Sequence, residues 1–170
     1  MEGGGLTRWV LEDAANPSVI RLHVDVELTA ETIVTCPPGQ APAPLDALLL
    51  LEGLRTIDLH RYRARLNLEP GAGRANVWDE VEAALAAAWG EAEALPIEEL
   101  PRAFEIEHGR PRAVAESLSM AGDHSMLAAL FSVDGVAEAI VGEGIALVRL
   151  GRLFRWDAAE DPVREALATS

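Results

Sequence analysis

Two rhythms of apolar residues run along this chain, and each predicts a different element. Ile20, Leu22, Val24 and Val26 alternate with polar residues, the period of a half-buried strand. A short strand is predicted just before it over residues 8–11, with Asn16-Pro17 as the punctuation between them, and a β-rich segment follows over 32–35. Residues 36–44 are proline-rich and read as a loop, since proline withholds an amide donor. From residue 44 to 52 the period turns helical. Leu45, Leu48 and Leu49 share one face, and Gly53 is the left-handed residue expected to end the helix. A hairpin is predicted from 55–60 and 62–68, with Tyr62, Ala64, Leu66 and Leu68 turned inward and Arg61, Arg63 and Arg65 turned to solvent. Asn76 reads as the N-cap of a longer helix with the stripe Trp78, Val81, Leu85 and Trp89.

The second half repeats this order. Residues 91–101, acidic and bounded by proline, form the connector. Phe104 and Ile106 begin a strand, and residues 113–118 predict the next. Leu127, Leu130 and Phe131 make a helix face ended by Gly135, and segments 137–141 and 145–150 flank the turn Gly142-Glu143-Gly144. Trp156 answers to Trp78, and Asp161-Pro162 is the expected cap and first turn of the last helix. The correspondence extends to individual residues. Glu52-Gly53 matches Asp134-Gly135, and Ala64, Leu66 and Leu68 match Ala146, Val148 and Leu150, all at a spacing of 82 (146 − 64). Upstream, Pro17, Ile20 and Leu22 meet Pro101, Phe104 and Ile106 at a spacing of 84 (104 − 20). The predicted architecture is therefore α+β, with repeats over 1–95 and 96–170, each an antiparallel sheet of about four strands with two helices on one face.

Charge narrows the partners. The net charge of −14 divides evenly: residues 1–95 hold 7 arginines against 15 acidic residues, the remainder 7 against 13. An acidic surface repels phosphate backbones and anionic lipid, so neither nucleic acid nor a membrane is expected as a partner. Lysine is absent and all 14 basic residues are arginine, which removes Schiff-base chemistry and a Walker-type lysine. The beginning of the chain lacks a basic stretch followed by an apolar run, and the leucine run at 48–51 is too short to span a bilayer. The expected location is the cytoplasm, and the lone cysteine, Cys36, agrees with a reducing compartment.

Candidate chemistry is sparse. Cys36 is the only thiol a metal could use, and its place before Pro37-Pro38 suggests a loop that exposes it; an inert thiol is the commoner case. His23, His60, His108 and His124 show no metal-ligand spacing, and Asp123-His124-Ser125 reads as a capping cluster. Gly142-Glu143-Gly144 and Gly71-Ala72-Gly73 lack the remainder of a phosphate-binding fingerprint. No cofactor and no catalytic residue are expected. The stripe Arg61, Arg63 and Arg65 is the face on which an acidic protein partner would dock. Trp78 and Trp156 read as core anchors, and Trp9 and Trp89, which have no counterparts, as residues of the seam between repeats.

Several of these residues resemble a known domain in both halves. Ala15-Asn16-Pro17, the phrase Leu49-Leu50-Leu51-Glu52-Gly53-Leu54 and Trp78, and in the second half Pro101, Leu130-Phe131-Ser132-Val133-Asp134-Gly135-Val136 and Trp156, are similar in order and spacing to the N-terminal domain of the NifU/Nfu iron–sulfur scaffold family. The resemblance implies that domain's fold and a non-enzymatic accessory role in iron–sulfur protein maturation, with client proteins as partners. The family's Cys-x-x-Cys is missing, and one thiol cannot hold a cluster. The alternative reading is a small-molecule or metal-binding protein, or an enzyme, that uses the groove between the repeats.

Overall fold

The computed structural model describes residues 7–37, 39–108, 112–122 and 124–169. Strands β1 (Trp9–Asp13), β2 (Val19–Val24), β3 (Leu54–Leu59) and β4 (Arg63–Leu68) form one antiparallel sheet in the order β1-β2-β4-β3. Strands β5 (Arg102–Glu105), β6 (Ala113–Ala115), β7 (Val136–Gly142) and β8 (Ile145–Leu150) form a second, ordered β5-β8-β7-β6. Helices α1 (Leu45–Leu48) and α2 (Arg74–Trp89) accompany the first sheet; α3 (Leu118–Ala121), α4 (Ser125–Phe131) and α5 (Trp156–Thr169) accompany the second. The protein is thus α+β, with three helices rather than two among the described residues of the second unit.

The pairing registers of the two sheets run in parallel. Ile57 faces Leu66 and Leu59 faces Ala64 across β3 and β4; Ala139 faces Val148 and Val141 faces Ala146 across β7 and β8, each partner lying 82 further on (139 − 57). Both hairpins shift register at the same point, between Leu54 and Thr56 and between Val136 and Glu138. Leu22 faces Ala64 as Phe104 faces Ala146, so Phe104 stands where Leu22 does, not where Ile20 does as the sequence match suggested. A slip of two residues keeps every side chain on its own face, so apolar alternation alone does not distinguish the two registers. β6 borders β7 on the side where Ile33 bridges Leu59 and the Cys36 amide donates to the Ile57 carbonyl at 2.8 Å. Among the described residues β1 has no counterpart in the second sheet.

Each sheet buries one face beneath its helices. Ile20, Leu22, Ala64 and Leu66 meet Leu45, Leu48, Val81 and Leu85 in the first core; Phe104, Ala146 and Val148 meet Leu127, Phe131, Trp156 and Val163 in the second. The opposite face is charged in the first sheet, where Arg21, Arg63 and Arg65 alternate with buried neighbours. Glycines 53 and 135 occupy the left-handed region, at φ 92° and 98°, but they open β3 and β7 and do not terminate helices; the C-caps are Leu49 and Ser132. Two-residue turns fall at Arg61-Tyr62, where the His60 amide donates to the Arg63 carbonyl at 2.8 Å, and at Glu143-Gly144, with φ 46° and 82°.

The aromatic and capping expectations need correction. Trp9 is fully buried in the first core, not in the seam, and its indole donates to the Gly90 carbonyl at 2.9 Å. The stripe of α2 is Val77, Val81 and Leu85, while Trp78 and Trp89 are only partly buried against that core; Gly73, not Asn76, is the N-cap. Helix α5 begins at Trp156, so Pro162 lies inside it. The reason is remote: the Glu99 carboxylate accepts the Trp156 amide at 2.7 Å and supplies the N-terminal partner that Asp161 would have offered locally.

Candidate functional site

Between the two units lies a cleft of about 310 Å³ whose walls come from both sheets. A second hollow, about 530 Å³ beside β5 and α5, is larger but more open and has few converging polar groups, so the inter-unit cleft is the stronger site. β2 and β4 bring Arg21, His23 and Arg63 to it from their helix-free face; β7 and β8 bring Glu138 and Arg149 from theirs. Its lining holds five arginines and five glutamates, which makes it electrically balanced on a chain of net charge −14.

Three of these charges, on Arg61, Arg152 and Glu12, hold the units together. Arg61 is buried in the turn after β3, where its Nε donates to Glu27 at 2.7 Å and its Nη atoms donate to the Val136 and Phe131 carbonyls of the second unit at 2.7 and 2.6 Å. The neighbouring Tyr62 hydroxyl accepts the Gly135 amide at 2.9 Å, and its ring packs on Phe154 with centroids 4.6 Å apart. Arg152 donates to Glu12 at 2.8 Å across the seam and to the Pro96 carbonyl of the connector. Glu12 also accepts from His23 Nε2 at 2.8 Å, which puts the proton on that nitrogen because an ionised carboxylate only accepts.

The electrostatics follow from burial and from this network. Burial works against the Glu12 carboxylate, but the hydrogen bonds from His23 and Arg152 outweigh it and hold its pKa below the ordinary value. Burial pushes the His23 pKa down despite the Glu12 partner, and burial followed by the charge of Arg63 does the same to His60. Burial and the adjacent Arg21 lower the Arg63 pKa, although a guanidinium remains charged at any physiological pH. Among the described residues Arg63 has no ion-pair partner within 4 Å, whereas Arg21, Arg61, Arg149 and Arg152 each face a carboxylate. Glu116 and Glu138 lie in the neighbourhood of Arg63 without reaching that distance.

The residues singled out by sequence are distributed unequally. Arg61 does not join a solvent-facing stripe: it precedes β4, where strand alternation does not apply, and its charge is spent inside the seam. Arg63 reaches the cleft, and Arg65, exposed and outside the cleft lining, faces Asp58 across the hairpin. Cys36 is buried in the first core rather than exposed, and its thiol pKa is pushed up by burial and then by Asp46, both of which disfavour the thiolate a metal requires. Among the described residues no cluster of three or more His, Cys, Asp or Glu is arranged to hold a metal ion. His124 caps α4, its Nδ1 accepting the Leu127 amide at 3.3 Å; Asp123 of the expected capping cluster lies outside the described residues. Glu12, Arg21, His23, Arg149 and Arg152 carried no motif in the sequence: the first three meet when β1 pairs with β2, and Arg149 and Arg152 join them from the second unit. No helix among the described residues is long and apolar enough to cross a membrane. Comparison with family models, with curated proteins and with solved structures gives no match.

Proposed function

We propose that this protein is a non-catalytic binding module that takes a small anionic group into the cleft between its units. The observation that carries the reading is Arg63, a cation without an ion-pair partner among the described residues, in a cleft whose other arginines are already paired. A guanidinium presents a fork of donors suited to a carboxylate or phosphate, and around it Arg21 and Arg149 offset Glu116 and Glu138. The balanced lining removes the repulsion that an anion meets elsewhere on the acidic surface.

Two further elements belong to this reading. The common spacing of 82 in pairing register, shared register shifts and matching strand neighbours support an origin of the two units by duplication. In the setting implied by the resemblance to the NifU/Nfu domain, the module serves as a cytoplasmic accessory of iron–sulfur protein maturation, docking clients without carrying a cluster. Titration with phosphate, sulfate and succinate, followed by calorimetry or ligand-observed NMR, tests the cleft. Hydrogen bonds to charged groups contribute about 1.5 to 3 kcal/mol, so Arg63→Gln is expected to weaken dianion binding by roughly ten- to a hundredfold. Equal binding by the folded variant, or no binding of any dianion to the native protein, refutes the proposal.

A further inference from the structure

We infer that the outer edge of β5 receives an extended, basic segment of a partner protein, which pairs antiparallel to β5 and fills the hollow beside it. The common register of the two sheets identifies this edge. The Ile106 amide donates to the Gly144 carbonyl at 2.8 Å as the Val24 amide donates to that of Tyr62 at 3.1 Å, both partners 82 further on (106 − 24). β5 therefore stands where β2 does. Its outward amides belong to Ala103, Glu105 and Glu107, the counterparts of Arg21, His23 and Asp25.

In the first sheet that edge is covered by β1: Arg21 faces Glu12, His23 faces Val10, and the Asp25 amide donates to the Arg8 carbonyl at 3.1 Å. In the second sheet, among the described residues, β5 pairs with β8 alone. The stretch that the same spacing would offer, residues 91–95 (91 − 9), stays with the first unit, where the Glu93 amide donates to the Trp9 carbonyl at 2.8 Å. Ala103, Glu105 and Glu107 are exposed, and outward amides in such a row are a template for a further strand.

The side chains that β1 supplies to the first core define what the added strand carries. Trp9 faces Val24 and Leu11 faces Leu22, and both are buried in that core. At the corresponding place, beside Ile106 and Phe104, the second unit has the hollow of about 530 Å³ between β5 and α5, with Met126 in its wall. A docked strand therefore sets one bulky apolar residue against Ile106 and another, two positions on, against Phe104. The residues flanking the first of these face Glu105 and Glu107, carboxylates with no ion-pair partner among the described residues, so lysine or arginine belongs there. A basic segment also suits a chain of net charge −14, whereas a second copy of the chain is repelled.

The hexapeptide Lys-Trp-Lys-Leu-Thr-Thr, acetylated and amidated at its ends, tests this on the full chain by calorimetry. In the inferred register the amides of its second lysine and first threonine face β5, and those of its tryptophan and leucine face away. N-methylation of the first pair is expected to weaken binding about tenfold, and of the second pair to leave it within about twofold. Replacing both lysines by glutamate is expected to weaken binding severalfold, and Glu105→Lys, at an exposed position, to erase that preference. Arg63→Gln should bind the peptide as the native protein does, so this inference and the cleft reading stand or fall separately. No binding of the parent peptide, equal losses from the two methylations, or a charge preference unmoved by Glu105→Lys overturns the inference. Peptide binding that falls with Arg63→Gln places the peptide in the cleft and also overturns it. So does a native protein that sediments as a dimer and comes apart on Ala103→Pro, which removes one outward amide, because the occupant of the edge is then a second copy.

Discussion

Arg61, only 5% exposed, binds one carboxylate and two carbonyls of the other unit, and stands over the rings of Tyr62 and Phe131 at 5.1 Å each. Its removal leaves the Phe131 and Val136 carbonyls without a donor and Glu27 without its cation. Breaking a buried charged pair from one side costs about 3 to 5 kcal/mol. Arg61→Met should therefore lower stability by several kcal/mol in urea titration, and Arg61→Lys should recover little, because an ammonium cannot present a fork to two carbonyls at once. Full stability of Arg61→Lys would refute the bidentate argument. His23 and His60 give a second prediction. Both have pKa values below the ordinary 6.5 in the folded protein, so the unfolded chain binds protons more readily as the pH falls through that value. Stability is then fully present above about pH 6.5 and is lost progressively below it, while the lowered pKa of Glu12 adds a loss only beneath its ordinary 4.5. Melting temperatures between pH 7.5 and 5 should fall in the native protein and fall less in His23→Gln/His60→Gln; identical slopes would exclude the two histidines as the source.

At the scale of elements, Gly53 and Gly135 do the same work at different risk. Each opens a strand just before a register shift, and each carbonyl accepts an amide from the next segment, Glu69 at 2.7 Å and Gly151 at 2.8 Å. A Cβ on Gly53 would come to 2.8 Å from one methyl of Val77, whereas on Gly135 it would come to 2.6 Å from the Phe154 ring, which is itself held against Tyr62. Both alanine variants carry the left-handed strain of about 1 to 2 kcal/mol. Gly135→Ala is expected to lose clearly more in chemical denaturation, since the ring must leave the seam; equal losses would show that Phe154 moves freely. These elements were readable because apolar alternation, turn glycines and prolines act locally, and the order strand, helix, hairpin, helix follows from them. Boundaries that depend on distant groups were not. α5 starts six residues before Pro162 (162 − 156) because Glu99 reaches its first amide, and Trp9 belongs to a core because β1 pairs with β2.

For the whole molecule, the two apolar cores share no residue, and the seam between them is largely polar: Arg61, the Tyr62 hydroxyl, the Arg152–Glu12 pair and a backbone bond from the Ser119 amide to the Ala30 carbonyl. The partners in such contacts lie 70 to 140 positions apart, as in Arg61–Phe131 and Glu12–Arg152, which explains why the cleft they frame left no spacing signal while the sheets did. Cooperative unfolding of the two cores as one unit then depends on a few hydrogen bonds, and two-state behaviour is expected only while they hold. Arg61→Met/Tyr62→Ala removes the centre of the seam and leaves every residue of the two core clusters in place. Calorimetry should show one transition for the native protein and two for this variant. A ligand that spans both walls of the cleft stabilises the docked state by mass action, so phosphate at saturating concentration should raise the native transition and leave both transitions of the variant in place. A single sharp transition in the double variant would mean that the units are coupled elsewhere, through the connector that Arg152, Arg155 and Trp156 pin at Pro96, Ile97 and Leu100.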